Sequence, residues 1–152
     1  MANKATLRVG REFLDVAPRA MRAETNLLAA LDIPLTHRQY RILRRVATGV
    51  TSQTAISRAA SISVAAISES ADALMRRGLL DRETDERDRR ASRLSLTEEG
   101  KQALEAAEKT LDGIAAMLTA GLSAAETAAM EKALEVLSVN VKQHLQETFE
   151  NT

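Results

Sequence analysis

The order of elements across residues 51–97 constrains this chain more than any other feature: two short helical patterns, a strand, an Arg/Asp-rich loop (Asp85-Glu86-Arg87-Asp88-Arg89-Arg90), then a second strand. A switch from helical periodicity to two stretches of period two at this spacing describes a winged helix-turn-helix, an order that implies duplex DNA as a partner.

The flanking pattern is helical throughout. In residues 6–31, Val9, Phe13, Val16, Ala20, Leu27 and Leu31 recur at mostly helical spacing, and Pro18 predicts a kink or a split. After Pro34, Thr36-His37-Arg38-Gln39 fits a capping box, with Leu35 able to staple onto Tyr40 one turn inside. Tyr40, Leu43 and Val46 or Ala47 make the buried stripe, and Gly49 ends this second helix. A third helix is expected over 52–60 with Ala55, Ile56 and Ala59 inward. Ser61-Ile62-Ser63 forms the turn, Ser63 caps a fourth helix running to about residue 77, and Gly78 closes it. Residues 79–84 and 91–96 then pair as a hairpin, with Ser92, Leu94 and Leu96 on one face.

The last third changes character. Thr97-Glu98-Glu99 caps a fifth helix striped by Leu104, Ala107, Leu111, Ile114 and Leu118, and Gly121 breaks it. Ser123-Ala124-Ala125-Glu126 is a second capping box, opening a sixth helix to about residue 149 with Met130, Leu134, Leu137, Val141 and Leu145 in line. Such stripes need a surface to cover. They either fold back on each other and on helix one, or build a shared dimer interface. The expected fold is therefore mainly α with a small β-hairpin wing. One domain fills residues 1–152, with dimerisation helices at 1–34 and 98–152 around a DNA-binding lobe at 35–97.

A formal net charge of zero conceals a separation along the chain. Residues 33–68 carry five arginines and no acid, residues 69–96 seven arginines against seven acids, and residues 97–152 four lysines against ten acids. All twelve bases between 33 and 96 are arginine, whose planar fork suits bidentate contact with phosphate and guanine; the bland alternative is a solvated face. Cysteine is absent, which excludes disulfides, thiol nucleophiles and cysteine zinc sites. The two histidines, His37 and His144, have no carboxylate cluster beside them, so neither a metal nor another cofactor is expected. No apolar run approaches a membrane span, and no signal-peptide core follows Met1, so the chain reads as soluble and cytoplasmic, with no membrane partner. No nucleophile, base and orienting group occur together and no glycine-rich phosphate loop is present, which argues against an enzyme.

Setting Ile67, Ala71 and Leu74 inward leaves Ala65, Ser68, Glu69, Asp72 and Arg76 outward on the fourth helix. Two of those five are acidic. Phosphate attraction must then come from the amides at the helix start (Ser63, Val64), from Arg58, Arg76 and Arg77, and from the loop arginines. Glu69 can accept from a cytosine amino group or stand as an ordinary surface carboxylate; Ser68 can bond several bases, and Ala65 or Ala66 can meet a thymine methyl. Arg87, Arg89 and Arg90 are placed to enter a minor groove, while Asp85 and Asp88 shape the turn between them.

In these segments the chain resembles the MarR family of bacterial regulators: Leu35-Thr36-His37-Arg38-Gln39-Tyr40, Ile62-Ser63, Asp72-Ala73-Leu74-Met75-Arg76-Arg77-Gly78-Leu79-Leu80, the Asp85 to Arg90 wing, and Leu94-Ser95-Leu96-Thr97-Glu98-Glu99-Gly100. The resemblance covers about residues 35–100 in order and spacing. It implies a homodimer of triangular outline built by helices one, five and six, repressing transcription at a near-palindromic operator. It also implies release by a small anionic aromatic or lipophilic ligand bound between the dimer core and the lobe. His37, Arg38, Tyr40, Arg41 and Arg44 are the local candidates for that effector, the alternative being a structural tyrosine and surface arginines. The chain departs from the family in having Glu69 where many relatives carry a base, and Ala65-Ala66 where many have Pro-Thr. It lacks both the cysteine of the peroxide sensors and the His/Glu clusters of the zinc sensors. A competing reading is a winged-helix adaptor that binds proteins instead of DNA.

Overall fold

The computed structural model describes residues 3–84 and 92–150, excepting the side chains at 84, 92, 149 and 150. Six helices and one hairpin are found among them: α1 (Lys4–Ala29), α2 (His37–Ala47), α3 (Gln53–Ala60), α4 (Val64–Arg76), β1 (Leu80–Thr84), β2 (Ser92–Leu96), α5 (Glu98–Leu118) and α6 (Ala124–Glu150). This is the mainly helical, winged architecture expected.

Local chemistry sets the helix starts. The hydroxyl of Thr36 accepts from the Gln39 amide at 3.2 Å, and the Gln39 side chain accepts from the Thr36 amide at 3.0 Å, completing the box. Ser52, Ser63 and Thr97 accept in the same way from Ala55, Ala66 and Gly100. Ser123 and Glu126 bond reciprocally at the head of α6. Each cap satisfies an amide that has no partner inside its helix. Gly78, at φ +71, closes α4 in the left-handed region, where a side chain is disfavoured. Ser61 adopts φ 53 at the end of α3 and turns the chain into α4.

Two expectations are corrected. Pro18 lies within α1, yet α1 runs unbroken over 26 residues, so the proline does not split it. Ala55 is exposed, and α3 is held instead by Ile56, with Ser57 buried beside it and donating to the Ile62 carbonyl. The alternative in which α6 folds back into the core is not met either: among its described residues α6 has no buried side chain, while α1 and α5 do pack on each other.

The core belongs to the lobe. Ile42, Leu43, Ile56, Ile67, Leu74, Leu80 and Leu94 are almost wholly excluded from solvent, joined by Leu28 from the end of α1 and by Ala103, Leu104 and Ala107 from the first half of α5. The hairpin pairs Leu80 with Leu96 and Arg82 with Leu94. The Leu94 amide also reaches out of the hairpin to the Thr51 carbonyl at 2.9 Å, pinning β2 to the entry of α3. The α5 start closes on α4: the Thr97 hydroxyl donates to the Gly78 carbonyl at 2.6 Å, and Gly100 passes directly over the Leu79 backbone.

Candidate nucleic-acid interface

α4 divides as its periodicity requires. Ile67, Ala71 and Leu74 are buried against the lobe, while Ser63, Val64, Ala65, Glu69 and Arg76 are exposed and Ala66 and Ser68 half-buried. The face turned to solvent thus begins with small residues and the first-turn amides, an arrangement that receives anions and lets a backbone approach closely. Arg58 stands exposed in the last turn of α3.

Arg76 and Arg77 have different surroundings. Arg76 is exposed at the end of α4. Arg77 reaches back to α2, where its Nη1 donates to Gln39 Oε1 at 3.2 Å and its Nη2 to the Pro34 carbonyl at 2.6 Å. Because Gln39 Oε1 also receives the Thr36 amide, Arg77 is built into the α2 cap and joins the C-terminus of the reading helix to it. The acid at Asp72 is likewise answered within the lobe: Arg82 of β1 lies 3.4 Å from its carboxylate, both side chains being close to half exposed. That pair reduces the negative charge α4 turns outward, and it couples the base of the wing to the helix. Sequence reasoning missed Arg82 because the pair spans a helix and a strand. The wing residues Asp85, Arg87, Asp88, Arg89 and Arg90 lie outside the described residues.

The residues singled out for an effector fall on two sides of α2. Tyr40, 5% exposed, lines a cleft of about 730 Å³ with Arg41 and Arg44, walled by α1, α5 and the start of α6. His37 and Arg38 instead line a cleft of about 780 Å³ between α2, α3 and α4, which Arg41 also borders. His37 Nδ1 sits 3.0 Å from Glu24 Oε1, linking α1 to the first turn of α2. Arg45, which sequence reasoning did not single out, lines the second cleft. Its Nη2 donates to the Ala59 carbonyl at 3.0 Å, capping α3, while its Nε is buried with no acceptor among the described residues. Burial, reinforced by the charges of Arg41 and Arg44, holds the Arg45 guanidinium below its usual pKa.

Among the described residues, no three His, Asp or Glu side chains gather where a metal could bind, and no helix is long and apolar enough to cross a membrane.

Comparison with known proteins bears on the whole assembly. The MarR family model matches residues 32–91, the lobe just described. A MarR family protein from Bacillus stearothermophilus superposes with a TM-score of 0.77 at 20% identity, over 93% of this chain and 99% of that one. CouR from Rhodococcus jostii RHA1, solved bound to p-coumaroyl-CoA, gives 0.73 at 22% over 85% and 90%. A probable transcriptional regulator from Pseudomonas aeruginosa gives 0.69 at 25% over 85% and 98%. No curated protein sequence matches the chain. The sequence match falls on the lobe, where residues 32–91 fit the MarR family model, and the fold match runs through the terminal helices, so that the whole chain has the fold of the MarR family structures.

Proposed function

We propose that the protein is a cytoplasmic, homodimeric repressor that binds a near-palindromic operator through two winged helix-turn-helix lobes. The observation that carries this reading is the outward face of α4. Its small N-terminal residues are exposed and Ser68 half-buried on that face, where they can meet base edges, and the exposed Arg58 and Arg76 are available for phosphate. Arg87, Arg89 and Arg90 add the minor-groove contact, with Asp85 and Asp88 shaping the tip. Arg77 acts through Gln39 and Pro34, orienting α4.

The dimer is supported by what the chain leaves uncovered. Val9, Leu14 and Val16 on α1, Met117 and Leu118 on α5, and Met130, Leu134, Val141 and Leu145 on α6 are all 44% exposed or more. Soluble proteins rarely leave so many large apolar side chains open to water without a partner. Residues 1–34 and 98–152 then form the dimer core and residues 35–97 the lobe. For release, the cleft at whose edge the nearly buried Tyr40 lies offers an apolar wall from α1 and α5, and Arg41 and Arg44 to hold an acid, a setting for an anionic aromatic or lipophilic ligand. The binding of p-coumaroyl-CoA by CouR, an aromatic acyl group on an anionic carrier, supports that class.

Selection of bound duplexes from a random library, followed by salt titration of the selected site, tests the reading. The expected result is a two-fold related motif with half-sites about one helical turn apart and a steep loss of affinity with salt. Recovery of no motif, with weak salt-insensitive binding, favours a protein-binding adaptor instead.

A further inference from the structure

We infer that the outer face of α1 binds the phosphate backbone of a second stretch of duplex DNA, separate from the one met by the lobe. Lys4, Arg8, Arg11, Arg19 and Arg22 are all exposed. At 100° per residue they fall within about 80° of one another, one cationic stripe along a helix of 26 residues. The opposite side carries Phe13, Val16, Ala20 and Met21, which line the cleft shared with α5 and the start of α6. Covering that apolar side in a dimer therefore leaves the stripe open.

Little answers its charge. Of the three acids of α1, Glu24 is drawn to His37, Glu12 borders the stripe, and Asp15 alone lies within it. No ion pair among the described residues holds any of the five bases. Their identity narrows the partner. Residues 1–96 carry sixteen arginines and one lysine, residues 97–152 four lysines and no arginine, so the stripe shares the chemistry of the lobe and not that of the acidic tail. A solvated face is served as well by lysine, whereas the arginine fork matches two phosphate oxygens and sheds water more readily.

The spacing favours a duplex over a flexible acidic segment. Arg8 with Arg11 and Arg19 with Arg22 form two pairs offset by 11 residues. That is close to three full turns, so both pairs project the same way, about 16 Å apart. Long side chains so placed reach the strands on either wall of a groove about 12 Å wide. Asn26, exposed one turn further along this face, adds a neutral donor, and with Arg19 and Arg22 it borders a shallow notch of about 390 Å³ beside Pro18. A second copy of the chain offers no matching surface, because the acids of α5 and α6 are interrupted by Lys101, Lys109, Lys132 and Lys142. The end of α1 is anchored in the lobe core by Leu28, so a duplex on the stripe is held at a fixed attitude to the lobe. A dimer with an operator on its lobes then bridges that operator to distant DNA. The bridging rests on the function proposed above; the α1 contact does not.

The test uses the full-length protein and a fluorescent duplex of mixed sequence, read by anisotropy across a salt series. In R58Q/R76Q/R89Q/R90Q, which disables the lobe, duplex binding persists with a salt slope of about 3.6, four phosphates at about 0.9 each, or about a hundredfold loss from about 50 to 200 mM. Adding R8Q/R11Q/R19Q/R22Q removes that binding, while R8K/R11K/R19K/R22K keeps the slope because lysine keeps the charge. All four side chains are exposed and glutamine is a good helix former, so Tm is expected to hold. Should the fourfold variant not fold, R8Q/R11Q carries the comparison with about half the slope lost. With the selected operator fixed on beads, the parent captures a second, labelled duplex, and R8Q/R11Q/R19Q/R22Q binds the beads but captures none. Loss of all duplex binding in the lobe-disabled protein, unchanged capture by the α1 variant, or displacement by polyglutamate as effective as by unlabelled duplex overturns the α1 site. Equal duplex binding by the parent and the lobe-disabled protein overturns the reading of the lobe and leaves the α1 site standing.

Discussion

Replacing Gly100 with alanine strikes the joint between the reading lobe and α5. A Cβ built at this position stands 1.9 Å from the Leu79 carbonyl oxygen and 2.9 Å from its carbon, with the Thr97 hydroxyl 3.3 Å away. Carbon and oxygen normally approach no closer than about 3.3 Å, so more than an ångström must be found by moving backbone. That backbone is held on every side. The Leu79 amide donates to Leu74 at 3.0 Å, its carbonyl accepts from Thr97 at 3.4 Å, and Thr97 bonds Gly78 while capping α5. Overpacking at such a contact costs about 1–3 kcal/mol, loss of the Thr97 cap adds about 1, and removing a helical glycine returns about 0.5–1. The net is a destabilisation of about 1–3 kcal/mol, which for a chain of this size lowers Tm by roughly 2–10 °C. Scanning calorimetry on Gly100→Ala reads it, with Gly113→Ala as the control. Gly113 is in the same helix, and outside its own helical turn no atom of the described residues lies within 4 Å of its Cβ position, so alanine there should stabilise by about 0.5–1 kcal/mol. A Gly100→Ala protein as stable as the parent refutes the close approach of α5 to Leu79.

Arg77→Ala should lower stability by about 1 kcal/mol, the scale of exposed bonds from a charged donor, and weaken operator binding with the salt slope unchanged. Arg76→Ala should leave Tm alone and reduce the slope by about 0.9 for one phosphate contact; the opposite assignment of the two phenotypes disproves the division of roles. Arg89→Ala with Arg90→Ala should weaken every duplex alike, whereas Ser68→Ala or Glu69→Gln should change base preference by about 1–3 kcal/mol per position. A wing variant that alters preference while the helix variants alter only salt dependence contradicts the interface. Removing residues 138–152 takes Val141 and Leu145 from α6 and should abolish dimer and DNA binding together; sedimentation showing a folded, fully active monomer rules that out.

What was legible in the sequence acts over short distances. Thr36, Ser52, Ser63, Thr97 and Ser123 each bond an amide three residues on, and the five caps place α2 to α6 within a residue or two of expectation. What was not legible crosses between elements. Arg77 meets Pro34 from 43 positions away, Arg45 meets Ala59 from 14, and Asp72 meets Arg82 from ten, across a helix end and a strand. Periodicity also marks an apolar side without saying what covers it. On α1 the stripe through Val9 and Val16 is exposed in the chain, while the fully buried residue is Leu28, one position after the Leu27 that fits the stripe.

The same limit explains why α2 was only half understood. Its arginines looked like one cationic surface, but a helix 11 residues long has room for several faces, and this one uses them all. Ile42, Leu43 and Val46 enter the lobe core. Gln39 takes Arg77 at the first turn. Tyr40 and Arg44 turn to the terminal helices, while Arg38 and Arg45 turn to α3 and α4. A helix packed by its apolar face and bolted at its cap moves as a rigid rod. Arg77 ties the end of α4 to that rod through Gln39 and the Pro34 carbonyl, so a shift of α2 against the terminal helices is passed directly to the reading helix.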